Sequence, residues 1–170
     1  MDIFYIIGNN IPFILTIISC YLLFDKTNLL FYYIIGLFSN SLLNLILKGI
    51  IQQPRPSFKN TYLATNHAKH FFYQNGIPFD LFGMPSAHAQ SAFFSTMYIY
   101  LALKKIYFFY IYLFLSILTC IQRITFNFHS LEQVIVGSIL GTFFAIPFYF
   151  LSNQNIKGNI TEKIDDFGPI

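Results

Sequence analysis

The chain has 170 residues, of which 55% are hydrophobic and only 10% are charged. That is the length of one domain, with too little charge to cover a water-soluble surface of that size. The net charge of +3 includes no basic cluster, which excludes a nucleic-acid footprint and leaves no nucleic-acid partner to expect.

Apolar runs of membrane-spanning length recur along the whole chain, so the predicted class is an all-α polytopic membrane bundle of about five helices. The first run extends from about Ile3 to Phe24 and is interrupted by Asn9, Asn10 and Pro12. The part after Pro12 would rise only about 18 Å at 1.5 Å per residue, short of the roughly 30 Å hydrocarbon core, so Ile3–Ile7 must contribute. Asp2 stands where a cleavable signal carries basic residues, and no small-residue cleavage site follows. The first run is therefore expected to be retained as a span.

After the polar turn "DKTN" a second run extends from about Leu29 to Ile51. The stretch from Gln52 to Phe82 breaks the pattern with Pro54, Pro56 and Pro78 among Arg55, Lys59, His67, Lys69, His70 and Asp80. A connection of about thirty residues is far longer than the usual helix–helix link and reads as a lid or binding surface. Its "HFFYQNGIPF" segment is suited to rest aromatic rings at the bilayer interface. The third run extends from Ser86 to Leu103, Lys104 and Lys105 turn the chain, and the fourth runs from Ile106 to Ile124. The fifth runs from Leu131 to Leu151. The expected organisation is a membrane-embedded domain over 1–151, with the 52–82 loop on one face and a polar tail over 152–170. Cys20 and Cys120 both lie inside apolar runs, where thiols are expected rather than a disulfide.

If each run crosses once, the ends of the second and fourth and the starts of the third and fifth share one face with the long loop. Lys48, Arg55, Ser86, His88, Arg123 and His129 all fall there. Ionisable groups at a membrane are costly and are usually functional. Three cations can surround the oxygens of a phosphoryl group, Arg through a planar fork and Lys as a point charge. Ser86 precedes a helical run, where it suits an N-cap position, and the first-turn N–H groups favour an anion. Of the two histidines, one can attack phosphorus and the other can protonate the leaving oxygen. This face has no carboxylate cluster for a divalent metal, so a scheme without metal or other cofactor fits better.

These spacings resemble the type 2 phosphatidic acid phosphatase superfamily. "KGIIQQPRP" (Lys48–Pro56) matches its first signature, a Lys, six residues and Arg-Pro. "PSAH" (Pro85–His88) resembles its second, Pro-Ser-Gly-His, with Ala87 in the Gly place. "RITFNFHSLEQ" (Arg123–Gln133) resembles its third, Ser-Arg, five residues, His, three residues and Asp, with Gln122 in the Ser place and Gln133 in the Asp place. The three motifs span about half the chain. The resemblance implies a haloperoxidase-like helical core. It also implies His129 as nucleophile, His88 as general acid, and Lys48, Arg55, Ser86, Arg123 and the Ala87 N–H as phosphate ligands. Within the superfamily, dolichyl-diphosphate phosphatases are similar in "GMPSAHAQ", in "PRP" and in a His followed four residues later by "QV". The substitution at 133 therefore reads as a subfamily trait, and the implied substrate is an isoprenoid diphosphate. Phosphatidate or another lipid monoester, or non-catalytic binding of lipid phosphates, are the alternatives.

Other readings stay open at single positions. Gln133 can orient His129 or close a capping box with Ser130. Glu132 suits a first helical turn or could replace the missing Asp. "HAKH" (His67–His70) resembles a metal pair but lacks further ligands, so a solvated loop is the better reading. A transporter is not supported, because the polar residues gather at one face and form no path. Without the three site cations, the active face holds Lys59 and Lys69, against Lys26, Lys104, Lys105, Lys157 and Lys163 opposite. By the positive-inside rule the active face is then lumenal or extracytoplasmic. The tail is then cytoplasmic, with the Asn159 glycosylation pattern on the cytosolic side.

Overall fold

The computed structural model describes residues 3–56 and 82–154. They form five helices: α1 (Ile3–Leu22), α2 (Thr27–Ile51), α3 (Ala87–Leu103), α4 (Ile106–Thr125) and α5 (Leu131–Asn153). These match the five apolar runs to within about two residues at each end, and Ser152 and Asn153 belong to α5 rather than to a tail. The "HFFYQNGIPF" segment, Lys59, His67, Lys69, His70, Asn159 and most of the tail lie outside the described residues.

α1, α2, α4 and α5 are each long and apolar enough to cross a membrane. Phe13, Phe38, Phe114 and Phe143, one on each, are largely exposed, a lipid-facing pattern that water would not tolerate at this density. α3 differs because it packs against all four of the others. With little surface left for lipid it need not be apolar, and it carries buried Gln90, Ser95 and Thr96. Its 17 residues rise about 26 Å, a little less than the hydrocarbon core. α3 and α5 meet most closely at Gly137 and Gly141, where an added Cβ would strike the Ser86 and Gln90 carbonyls. A methyl group at either position would push the helices apart.

The connections obey local backbone rules. Pro12 sits inside α1 without ending it, as membrane-spanning helices tolerate. Lys104 takes the left-handed conformation that ends α3, and Lys105 leads directly into α4. Gln52 ends α2 in the same way. Lys26 lies beside Ser152 and Asn153, which places the start of α2 and the end of α5 on one face. Cys20 and Cys120 are free, half-buried thiols.

The bundle divides along its length. Away from the long loop its core is aromatic and aliphatic, centred on Tyr33, Phe94, Tyr98, Ile99, Tyr112 and Ala145. Toward the loop the buried residues are polar. One expectation needs correction here. The cationic and imidazole groups of the helices do gather at one face, but neutral polar groups run much deeper. Asn44 Nδ2 donates to Gln90 Oε1 at 2.7 Å, and Gln90 Nε2 donates to Asn40 Oδ1 at 2.8 Å. Farther in, Tyr33 pairs with Ser95, Thr96 with Ser116 and Ser19 with Tyr112. In hydrocarbon such groups need partners inside the protein, and these amides and hydroxyls find one another across helices, with Asn40 Nδ2 and Asn44 Oδ1 left without a hydrogen-bond partner among the described residues.

Candidate active site

The last turn of α2 buries Lys48 completely. Its Nζ donates to the Phe82 carbonyl at 2.8 Å. The chain then leaves α2 extended. Pro54 bridges to Phe82, and the Gly83 N–H donates to the Gln53 carbonyl at 2.8 Å. This short antiparallel contact closes the base of the long loop. It brings Arg55 beside "PSAH", although residues 57–84 separate the two motifs.

The second motif is anchored from two sides. Asn44 Nδ2 donates to the Pro85 carbonyl at 3.2 Å, and the Ser86 N–H donates to the Gln133 carbonyl at 2.9 Å. Ser86 holds the N-cap position of α3, as expected, but its side chain makes no capping bond. Its Oγ is buried with no hydrogen-bond partner among the described residues. The hydroxyl thus serves no need of the helix. Ala87 is the first helical residue, so its N–H belongs to the unpaired first turn. His88 follows, with its ring beside the Asn9 backbone.

The third motif owes its spacing to a tight reversal. The N–H groups of Phe128 and His129 both donate to the Arg123 carbonyl, at 3.0 and 3.2 Å, and Asn127, just before them, takes a positive φ. The chain folds back so that His129 lies near the side chain six residues before it. Arg123 Nη1 donates to Asn9 Oδ1 at 2.9 Å. The guanidinium stacks 4.2 Å above the Phe128 ring, and its Nε is buried without a partner among the described residues.

Gln133 resolves the choice between orienter and cap by doing both. Its Nε2 faces the Pro54 carbonyl at 2.9 Å and Gln53 Oε1 at 3.2 Å. A carbonyl can only accept, which fixes the amide's orientation. Oε1 must then take the Ser130 N–H and His129 Nδ1, each at 3.2 Å. The Ser130 side chain accepts from the Gln133 N–H and completes the capping box. It follows that His129 Nδ1 carries the proton and Nε2 keeps its lone pair. Nε2 lies 3.5 Å from Arg55 Nη1. Burial, followed by the positive charges of Arg55, Lys48 and Arg123, lowers the His129 pKa to about 3, against a raising effect of the Gln133 bond. The imidazole is neutral at physiological pH. Glu132 does not substitute for the missing Asp. It is exposed and lines a cleft of about 530 Å³ between Gln53–Pro56 and the start of α5.

The structure therefore brings Lys48, Arg55, Ser86, Ala87, His88, Arg123, His129 and Gln133 to one end of the bundle. Among the described residues, no group of three or more His, Cys, Asp or Glu side chains is arranged to hold a metal ion. Sequence reasoning missed Gln53 and Asn44, which hold the motifs through neutral amides, and it read Asn9 only as a flaw in a span. A signal existed for Asn44, which lies one helical turn before Lys48.

Three comparisons bear on this site. The PAP2 superfamily model matches residues 29–157. A dolichyldiphosphatase of Saccharomyces cerevisiae is 32% identical over 131 residues, covering 68% of this chain and 48% of that protein. A chloroplastic lipid phosphate phosphatase epsilon 1 of Arabidopsis thaliana is 29% identical over 132 residues, covering 73% of this chain and 41% of that protein. The chain thus spans less than half the length of either relative. No solved structure gives a significant match.

Proposed function

The chain belongs to the PAP2 superfamily, and from that premise we propose that it is an integral membrane lipid phosphatase acting on an isoprenoid diphosphate of the dolichyl type. One observation carries the reading: His129 is held between an acceptor on Nδ1 and a cation beside Nε2. A nucleophilic imidazole needs that state, neutral, of one tautomer, with its free lone pair facing an anion site.

In the proposed reaction the terminal phosphoryl group lies among Arg55, Arg123, Lys48, the Ser86 hydroxyl and the first N–H groups of α3. The His129 Nε2 lone pair forms a bond to phosphorus as the bridging P–O bond breaks. The departing lipid monophosphate takes a proton from His88, which acquires it from water once the negative charge of the bound substrate offsets the cations of Arg123, Arg55 and Lys48 around the ring. The phosphohistidine keeps its Nδ1 proton on Gln133 Oε1. His88, now neutral, takes a proton from water, whose oxygen attacks phosphorus. Inorganic phosphate leaves and His129 returns neutral. The cations offset charge on the equatorial oxygens throughout, so the scheme routes no step through a metal.

The name of the Arabidopsis relative supports lipid phosphates as a second substrate class, for which we propose monoesters such as phosphatidate. The test is phosphate release by the purified protein from matched isoprenoid diphosphate, isoprenoid monophosphate and phosphatidate, with and without chelator. Faster turnover of the diphosphate, unchanged by chelator, is the expected result. Faster monoester turnover would transfer the assignment to the second class, and release abolished by chelator would remove the metal-free scheme. The proposed orientation has the active face lumenal or extracytoplasmic and residues 152–170 in the cytosol. Glycosylation at Asn159 in cells with a secretory pathway would reverse it.

A further inference from the structure

We propose that Asn9, in α1, is a positioning residue of this site. Its side chain fixes the Arg123 guanidinium while leaving that group's charge undiminished. Asn9 lies outside the three motifs and outside residues 29–157, which the family model matches. The proposal rests on the reading of Arg123 as a phosphate ligand and His88 as the acid.

The contacts are specific. Asn9 Oδ1 accepts from Arg123 Nη1 at 2.9 Å, and its main chain lies beside the His88 ring. One residue of α1 thus touches two of the groups on which the reaction depends, from two different helices. The guanidinium is planar, so a bond at Nη1 and a ring against one face fix the direction of its other N–H groups. Phe128 supplies that ring at 4.2 Å. The Nε–H, buried and without a partner among the described residues, is then held ready for an oxygen of the substrate.

The register that brings Asn9 to Arg123 is built into the neighbouring residues. Gln122 reaches across to α1, where its Nε2 donates to the Tyr5 carbonyl at 3.4 Å. A Cβ at Gly8 would overlap the Gln122 side chain. Gly8 therefore gives Gln122 the room it needs, and Gln122 sets the axial position of α1 one residue before Arg123 engages Asn9. The Gln that departs from the motif at 122 is one half of this contact.

An amide at position 9 is informative. Asp would hold Arg123 at least as firmly through a charge-assisted bond. It would also cancel the positive charge that an anionic substrate needs. Asn accepts the same bond without a charge. A purely structural requirement would be met by either residue, and often better by Asp.

The experiment follows from that difference. Asn9→Asp and Asn9→Ala are made in the full chain, with Arg123→Gln and the double variant Asn9→Asp/Arg123→Gln. For each, kcat and KM for an isoprenoid diphosphate, inhibition by inorganic phosphate, and Tm are measured. Asn9→Asp is expected to keep the wild-type Tm or exceed it, yet to lose about tenfold or more in kcat/KM, through misdirected charge in a site where small displacements are costly. Phosphate inhibition should weaken in step. Asn9→Ala should lose activity through geometry, and Asn9→Asp should cost much less in the Arg123→Gln background, because the two residues act through one contact. Wild-type kcat/KM and phosphate inhibition in Asn9→Asp, beside an impaired Arg123→Gln, would overturn the proposal alone. Wild-type kcat/KM in Arg123→Gln would overturn the reading of the site and the proposal with it.

Discussion

Replacing Gln133 by Leu removes four hydrogen bonds from one buried side chain. Oε1 accepts from His129 Nδ1 and from the Ser130 N–H, and Nε2 donates to Gln53 Oε1 and to the Pro54 carbonyl. Leu fills a similar volume and pairs with none of these groups. At about 1 kcal/mol net for each bond, partly offset by the added apolar side chain, the folded state should lose on the order of 2–4 kcal/mol. The catalytic loss has a separate cause. Without an acceptor at Nδ1 the proton can move to Nε2 and remove the attacking lone pair. In serine-protease triads a change that yields the wrong tautomer costs about 10⁴ in rate. Here the nearby Arg55 still disfavours a proton on Nε2, so we expect a kcat loss of at least about tenfold and less than that limit. Gln133→Glu keeps the acceptor and adds charge support for the phosphohistidine, so it should retain more activity than Leu. Its second oxygen would face the Pro54 carbonyl, which should lower its Tm. Ser130→Ala separates the two roles of Gln133. It removes the Ser130 half of the capping box and leaves the Nδ1 bond, so it should cost about 1 kcal/mol of stability with kcat nearly intact. Turnover of an isoprenoid diphosphate, with Tm measured beside it, decides the matter. Full activity in Gln133→Leu would mean that the side chain is only a cap and that the tautomer argument is wrong.

Helix positions were legible because hydrocarbon thickness sets a minimum apolar length, and five runs met it or came close. The site was legible where charge made it so. Lys48, Arg55 and Arg123 stand out in apolar surroundings because burying a cation is expensive, and two His at motif spacing stand out beside them. The supporting groups were less visible because neutral amides carry no such penalty in the sequence. Asn44, Gln53 and Gln90 could equally have faced water or a headgroup, and only the packing of α2, α3 and α5 assigns their partners. The carbonyls of Phe82 and Pro54 leave no trace at all, since every residue has one. Asn9 and Pro12 misled for a physical reason: a polar pair and a helix breaker weaken a span, and the tertiary contacts that compensate come from α3 and α4. The Ser86 hydroxyl misled in the opposite direction, as Ser at a helix start ordinarily caps it.

His88→Ala should lose about 10²–10⁴ in rate with a lipid leaving group and less with an activated aryl phosphate, which needs little protonation; equal losses would remove His88 as the acid. His129→Ala should abolish turnover and the acid-labile, alkali-stable labelling expected of a phosphohistidine, and residual single-turnover labelling would place the nucleophile elsewhere. The pH dependence follows from the His129 pKa of about 3. In the unfolded chain a His titrates near about 6.5. Below that pH the unfolded state binds a proton that the folded state does not, so stability falls as pH drops from about 6.5 toward about 3, and is unaffected above. Over this window the wild type should lose up to about 1.4 kcal/mol per pH unit more than His129→Gln, the cost of one differential proton. The same depressed pKa keeps the nucleophile unprotonated in the free protein at pH 5, so protonation of His129 should cause no fall in kcat/KM between pH 7 and pH 5. If chemical denaturation shows equal acid slopes for wild type and His129→Gln, then His129 is charged in the folded protein, and a neutral, buried nucleophile held between Gln133 and Arg55 is the wrong description of this site.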